Sequence, residues 1–301
     1  MKTRDACTWS GNSTDMESPA PLPLITVGMP IRNEAAFLTL ALQSLLAQDY
    51  PRFEIIISDN ASDDGTAEIC HGFCRDHPNV HYERQADNLG AAANFEHVLR
   101  QARGEYFIWA SGHDLWAPDY LSACVRRLQD NPSGVVAFGT TSWIDSSGQP
   151  HARQSGWCDT RGMHRIARYC AIFWGNMNPV ISVIRTSALQ SCRMEAMVGL
   201  DLVILLKLAL MGDFLHATDT HWYRREFRNE TAYGEKLKRY RSADYGLARS
   251  WLGRLFPLAR LPLRILGDLY GAAIPLGEKL LLSLILLTSL PVKYLADRSR
   301  A

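Results

Sequence analysis

Two polar clusters in the sequence could do chemistry. Each follows directly on a run of bulky apolar residues: Asp59-Asn60-Ala61-Ser62-Asp63-Asp64 after FEIIIS, and Ser111-Gly112-His113-Asp114 after EYFIWA. Acidic side chains at the ends of buried strands can hold a divalent cation, and a cation held there can neutralise a diphosphate. Oxygen ligands suit Mg²⁺ or Mn²⁺, while the His113 imidazole shifts the preference towards Mn²⁺. Gly112 allows the backbone to come close to a ligand. A third carboxylate, Asp201, opens the apolar stretch LVILLKLALMG, a position where aspartate commonly caps a helix. The Cys70–His77 segment resembles a zinc site only faintly, since Cys70 and Cys74 lie one helical turn apart and no second ligand pair follows.

The elements that must position these clusters alternate regularly. LITVGM, FEIIIS, NVHYE and EYFIWA read as strands, apolar enough to be covered on both faces. Helices are predicted between them: one capped by Asn33 with Leu38, Leu42, Leu45 and Leu46 on one side, one from Thr66 to Asp76, and one from Ala91 to Arg103 closed by Gly104. Further strands are predicted over Val135–Gly139 and Thr141–Ile144. A strand entering a helix at Thr186 and an apolar helix from Asp201 to Gly212 follow. Strand–helix alternation with short loops implies right-handed βαβ units, an α/β fold and a mainly parallel sheet. In such sheets ligands bind beyond the carboxyl ends of the strands, where both polar clusters fall.

Composition narrows the function. A net charge of +1 gives no reason to expect nucleic acid as a partner. Seven scattered cysteines, an odd number with no secretory signal ahead of them, favour reduced thiols in the cytoplasm. No G-x-x-x-x-G-K-[ST] loop is present and no G-x-G-x-x-G follows the first strand, which argues against a P-loop and a dinucleotide fold. Residues 1–23, rich in Ser, Thr, Asp and Pro, read as a flexible leader.

Four segments, in order, resemble the nucleotide-diphospho-sugar glycosyltransferases of family 2, which have the GT-A fold. VGMPIRNE is similar to that family's V-x-P-x-x-N-E turn, and SDNASDDGT to its D-D-G-S-x-D-G-T loop. DNLGAAANFEHVLRQARGEYFIWASGHDLWAPDYL resembles the stretch that carries its N-x-G-x-x-x-x-N, A-x-G-E-Y and D-x-D-D-x-W-x-P elements. The resemblance covers residues 24–225 and implies a nucleotide-sugar pocket lined by Pro30, Glu34, Asp59 and Asn94, with Asp59 on the base or ribose. It also implies that Asp201 is the base of an inverting transfer, taking the proton from an acceptor hydroxyl. The chain departs from the family at the metal-binding D-x-D, which falls on Ser111-Gly112-His113. The metal role therefore rests on His113 or Asp114, or is lost. Arg224, Arg225 and Arg228, in HWYRREFRNE, are candidates for phosphate contact.

Residues 226–301 turn basic and helical and then apolar. From Trp251 to Ala301 there are seven Lys/Arg against three Asp/Glu. The run Leu280–Val292 is shorter than the roughly 20 residues a membrane span needs, and it is flanked by Glu278, Lys279 and Lys293, with further Arg residues and Trp251, Tyr270 and Tyr294 around it. An interfacial attachment to an anionic leaflet is expected. The competing expectation is a helix buried against the catalytic domain or against a second copy.

The function expected from all this is transfer of a sugar from a nucleotide-sugar donor to a glycan or lipid-linked acceptor in surface polysaccharide assembly. It would be metal-assisted by Mn²⁺ or Mg²⁺ and carried out at the cytoplasmic membrane face. Two alternatives stand beside it. A nucleotidyltransferase usually carries a glycine-rich loop after the first strand, which VGMPIRNE lacks. A non-catalytic sugar-nucleotide-binding protein would have lost its D-x-D.

Overall fold

In the computed structural model the apolar runs become the strands of one sheet with helices on both faces. Residues 21–155, 159–197, 199–226 and 260–299 are described. The first half runs β1 (Ile25–Ile31), α1 (Leu38–Leu46), β2 (Phe53–Asp59), α2 (Thr66–Asp76), β3 (Val80–Arg84), α3 (Ala91–Arg100) and β4 (Tyr106–Trp109). It continues with β5 (Leu115–Trp116), α4 (Tyr120–Asp130), β6 (Gly134–Ile144), β7 (Pro150–Ser155) and α5 (Arg165–Trp174). A single 3₁₀ turn, Asn178–Val180, leads to β8 (Val183–Arg185), α6 (Thr186–Gln190), α7 (Leu200–Met211) and β9 (Asp213–Arg225). Beyond the next described boundary come α8 (Arg260–Gly271) and α9 (Leu276–Ser299).

The strand order is β3-β2-β1-β4-β8-β6-β9-β5, with β7 paired to β6. The parallel βαβ half expected from the alternation is β3-β2-β1-β4. The other half is mixed, since β8 runs antiparallel to both β4 and β6 while β6 and β9 run parallel. Strand order reverses between β1 and β4, so a crevice opens at their carboxyl ends. That crevice receives the turn after β1 and the Ser111–Asp114 loop after β4.

Side-chain alternation divides the core in two. Ile25, Val27, Met29, Ile55, Ile57 and Ile108 face α1 and α4, while Ile56, Phe107 and Trp109 face α3, α5 and α7. On the second face β1 must stay thin. A Cβ on Gly28 would lie 2.6 Å from the Phe107 ring, so glycine lets Phe107 pack across the strand. Trp109 and Trp116 are buried as core residues.

Several local expectations change. Val135–Gly139 and Thr141–Ile144 are one strand, β6, and the break between them is a register shift against β9 at Gly139/Thr140. α3 stops at Arg100, short of Arg103. Gly104 is needed for close approach to β1, where its N–H donates to Thr26 Oγ1 at 2.9 Å. Asn33 does not cap α1, which begins at Leu38; its backbone is left-handed, with φ 55°.

β9 ends at Arg225, and most of the basic stretch that follows, Arg228 included, lies outside the described residues, as do residues 1–20 of the leader. α8 and α9 add Leu261, Ile265, Leu269, Leu282 and Leu286 to the core shared by α5 and α7. Among the described residues, no helix is long and apolar enough to cross a membrane.

Candidate active site

The crevice is built from three loop clusters. The first two, after β1 and β2, are locked to each other. Asn33 Nδ2 donates to Asp63 Oδ1 at 2.8 Å, and the Asp63 N–H donates back to Asn33 Oδ1 at 3.0 Å. The Glu34 N–H donates to Thr66 Oγ1, and the Ala35 N–H to Asp64 Oδ2. Asn33 and Ala61 both adopt left-handed φ values, 55° and 56°. Such strain in non-glycine residues persists only where the surroundings over-determine it, and it concentrates at ligand sites. Pro30 pairs with Ser58 of β2 but lies past the end of the β1–β4 ladder, so its missing N–H costs no bond to β4. It is half-buried at the mouth of the crevice.

Asp59 is fully buried. Its Oδ1 accepts from the Ser62 N–H at 2.9 Å and from the Ser62 hydroxyl; its Oδ2 accepts from Tyr82 Oη at 2.9 Å and lies 3.8 Å from Arg84 Nε. Burial, and then donation to Asp59, raise the Tyr82 phenol pKa. Asn94 is also buried. It reaches from α3 to accept from Ser58 Oγ at 2.6 Å and donates to the Ser58 carbonyl at 3.0 Å. Asp59 and Asn94 therefore brace the loop after β2 from within. Tyr82 and Arg84, which sequence reading passed over, share one face of edge strand β3 two residues apart, and the Asp59–Arg84 register brings them to the loop.

The third cluster is Ser111–Asp114. Glu34 sets both carboxylate oxygens 3.0 Å from His113 Nδ1. Gly112 makes this possible, because a Cβ there would stand 2.8 Å from the Glu34 Cβ and Cγ. Asp114 is turned inward and buried; its Oδ2 accepts from Ser111 Oγ and its Oδ1 from the Arg225 N–H at 2.8 Å. Arg225 is buried too. Its guanidinium donates to the His113, Asp145 and Ser146 carbonyls and stacks 4.6 Å from the Phe37 ring centre. Asp114 and Arg225 thus hold the loop in shape.

Arg224, the preceding residue on β9, is exposed and donates to Asn178 Oδ1 at 2.9 Å. It also acts on Asp201. The Asp201 side chain reaches solvent at the start of α7, yet the protein crowded around it desolvates the carboxylate and raises its pKa above the ordinary aspartate value, against the opposing pull of Arg224. Asn178 opens the 3₁₀ turn Asn178–Val180.

A divalent cation can be tested against this donor set. Among the described residues, no three His, Cys, Asp or Glu side chains converge on one point. Sites of this type usually use one or two protein ligands and take the rest from substrate phosphates. His113 fits that pattern, with Glu34 on Nδ1 acting as the carboxylate that orients a ligating imidazole. Asp114 Oδ1 lies 3.9 Å from His113 Nε2, beside the same position, and each of its oxygens keeps an acceptor site for a cation beyond its one hydrogen bond.

Comparisons with known proteins bear on the fold and the family. The chain is 28% identical to the glycosyltransferase GlyG of Streptococcus pneumoniae over 125 residues, 42% of each chain. It is 31% identical over 128 residues to TuaG of Bacillus subtilis, described as a teichuronic acid biosynthesis glycosyltransferase; that match spans 42% of this chain and 50% of TuaG. The chain thus spans half or less of the length of these relatives. Among solved structures, S. aureus TarS 1-349 in complex with UDP-GlcNAc is similar with a TM-score of 0.61 and 19% identity, over 85% of this chain and 69% of that one. The mannosyltransferase PcManGT of Pyrobaculum calidifontis, in complex with GDP-Man and Mn²⁺, is similar with a TM-score of 0.53 and 19% identity, over 94% of this chain and 85% of that one. These likenesses carry the GT-A fold. The model of glycosyl transferase family 2 matches residues 26–190, more than half of the sequence, and the chain belongs to that family.

Proposed function

We propose that the protein transfers a sugar from a nucleoside-diphosphate donor to a hydroxyl of a glycan acceptor, with inversion, in the assembly of a surface polysaccharide. The observation that carries this reading is the Arg224–Arg225 pair on β9. Arg225 fastens the Ser111–Asp114 loop, while its neighbour Arg224 bonds Asn178 and acts electrostatically on Asp201. Two groups far apart in sequence, one suited to the diphosphate and one to the acceptor, are thereby joined through a dipeptide.

In the proposed reaction the acceptor oxygen bonds to the anomeric carbon as the bond to the diphosphate breaks, and the acceptor proton passes to Asp201. A single displacement of this kind inverts the anomeric centre. Glu34 orients His113 towards the diphosphate, the Asp59-organised loop receives the nucleoside, and Arg224 limits the pKa rise of the base. A divalent ion, Mn²⁺ before Mg²⁺, would be held by His113 and would neutralise charge on the departing nucleoside diphosphate. The ligands named in the TarS and PcManGT complexes, UDP-GlcNAc and GDP-Man, support a UDP- or GDP-sugar as the first candidate. The cytoplasmic side of the membrane is the proposed place of work.

The test is a panel of UDP- and GDP-sugars offered to the full chain with Mn²⁺, Mg²⁺ or chelator. Thermal stabilisation should rise with the logarithm of donor concentration over its dissociation constant. Release of nucleoside diphosphate should accompany it. Stabilisation without release or transfer would mark a binding protein; neither response to any donor would remove the reading.

A further inference from the structure

α9 has two unlike sides. One is packed inward: Leu282 and Leu286 are buried, and Glu278 is held by Arg165 at 2.7 Å. On the other, Leu276, Leu280, Leu284 and Leu287 follow at helical spacing and are 65%, 55%, 62% and 57% exposed. Leu281 and Val292 widen this stripe, and Leu263 of α8 is exposed as well. Among the exposed residues described on α9, none carries a charge. Scattered exposed leucines are normal, but a continuous uncharged face over four turns marks a docking surface.

The basic and aromatic residues around α8 and α9 identify the occupant. Lys279 donates to the Tyr270 carbonyl at 2.8 Å, and the Lys293 ammonium lies 5.6 Å from the Phe173 ring centre and 6.0 Å from that of Trp174. Trp174 and Tyr270 are themselves 48% and 46% exposed. An apolar stripe on a helix that also carries lysines, next to exposed tryptophan and tyrosine, matches the plane where acyl chains meet headgroups. From Trp251 to Ala301 the sequence carries seven basic against three acidic residues, complementary to anionic lipid. The same excess opposes a second copy of the chain, which would bring two basic tails together. α9 is also not apolar enough to cross a bilayer.

We propose that the leucine face of α9, with Leu263, seats in the surface of an anionic lipid leaflet without spanning it. One consequence rests on the transferase reading. Trp174 ends α5, and four residues later Asn178 accepts from Arg224, which acts electrostatically on Asp201. The helix against which α9 packs therefore leads within four residues to Asn178, which suits an acceptor hydroxyl carried on a lipid.

Flotation of the full chain with vesicles of phosphatidylcholine, with and without phosphatidylglycerol, tests the surface. The parent should float with anionic vesicles, less so in high salt, and only weakly with neutral ones. A triple variant, Leu280→Glu, Leu284→Glu and Leu287→Glu, changes exposed positions only. It should lose at least about tenfold in partitioning while keeping its melting temperature and donor stabilisation. Charge reversal by Lys279→Glu with Lys293→Glu should abolish the preference for anionic vesicles. Failure of the parent to bind either vesicle overturns the proposal, as does a dimer in light scattering that the triple variant converts to monomer. Vesicle binding without donor stabilisation would strike the transferase reading and leave the lipid surface standing.

Discussion

Glu34 and His113, from the turns after β1 and β4, meet with both carboxylate oxygens 3.0 Å from the imidazole Nδ1. A carboxylate on one ring nitrogen fixes the imidazole's orientation and raises its basicity as a ligand through the other. If His113 is the protein's hold on a metal, His113→Ala should abolish the metal dependence of donor binding, and His113→Asp should move the preference from Mn²⁺ towards Mg²⁺. Glu34→Gln should lower metal affinity by roughly 10- to 100-fold. Calorimetric titration of Mn²⁺ in the presence of donor reads all three; an unchanged metal profile throughout would show that no metal works at His113.

Gly112 should be sensitive for a steric reason. A methyl group at this position would stand 2.8 Å from the Glu34 side chain. Gly112→Ala should push Glu34 off His113 and weaken donor binding at least about tenfold, since a displacement on the order of 1 Å at a site is already costly. The neighbour is a side chain able to move, so the melting temperature should fall only slightly. Donor affinity equal to the parent's would show that the Glu34–His113 contact is dispensable.

Asp201 lends itself to two measurements. Asp201→Asn keeps size and capping ability but cannot take a proton, so turnover should fall at least about a hundredfold with donor affinity little changed. The raised pKa of the parent carboxyl adds a signature in stability. A folded-state pKa above the unfolded value stabilises the fold most below the unfolded value, and that contribution is lost as pH rises through the folded value. The melting temperature of the parent relative to Asp201→Asn should therefore fall as pH is raised above the ordinary aspartate range. A constant difference across pH would mean an unperturbed carboxylate, and near-parent turnover would reduce Asp201 to a helix cap.

Asp59 is a buried organiser, so its removal should cost stability as well as binding. Asp59→Ala strands the Ser62 N–H and the Tyr82 hydroxyl, at about 1–3 kcal/mol for each donor left without a partner. Tyr82→Phe removes one of those donors and should show the smaller loss. Chemical denaturation measures the stability and calorimetry the donor affinity. A stable Asp59→Ala protein with full donor affinity would place the nucleoside elsewhere.

Much of the first half was legible in the sequence, because local signals there agree. Apolar runs such as FEIIIS and EYFIWA specify strands, the polar loops after them specify carboxyl ends, and alternation specifies parallel pairing, while the order β3-β2-β1-β4 is decided by the fold. Asp201 at the head of an apolar helix was readable in the same way. What the sequence could not decide were relations that depend on chain segments meeting late. Asn33 looked like a helix cap, but its side chain is drawn to Asp63, which belongs to the neighbouring loop. Arg225 looked like one of three interchangeable arginines; pairing of β9 with β6 buries it behind the Ser111–Asp114 loop and leaves Arg224 exposed, acting electrostatically on Asp201. Asp114 offers two carboxylate oxygens in sequence, and each is turned to a partner, one local and one 111 residues away. A side chain's type and spacing say what it can bind; which way it faces is settled by long-range packing, where burying an unpaired polar group costs more than any local preference supplies.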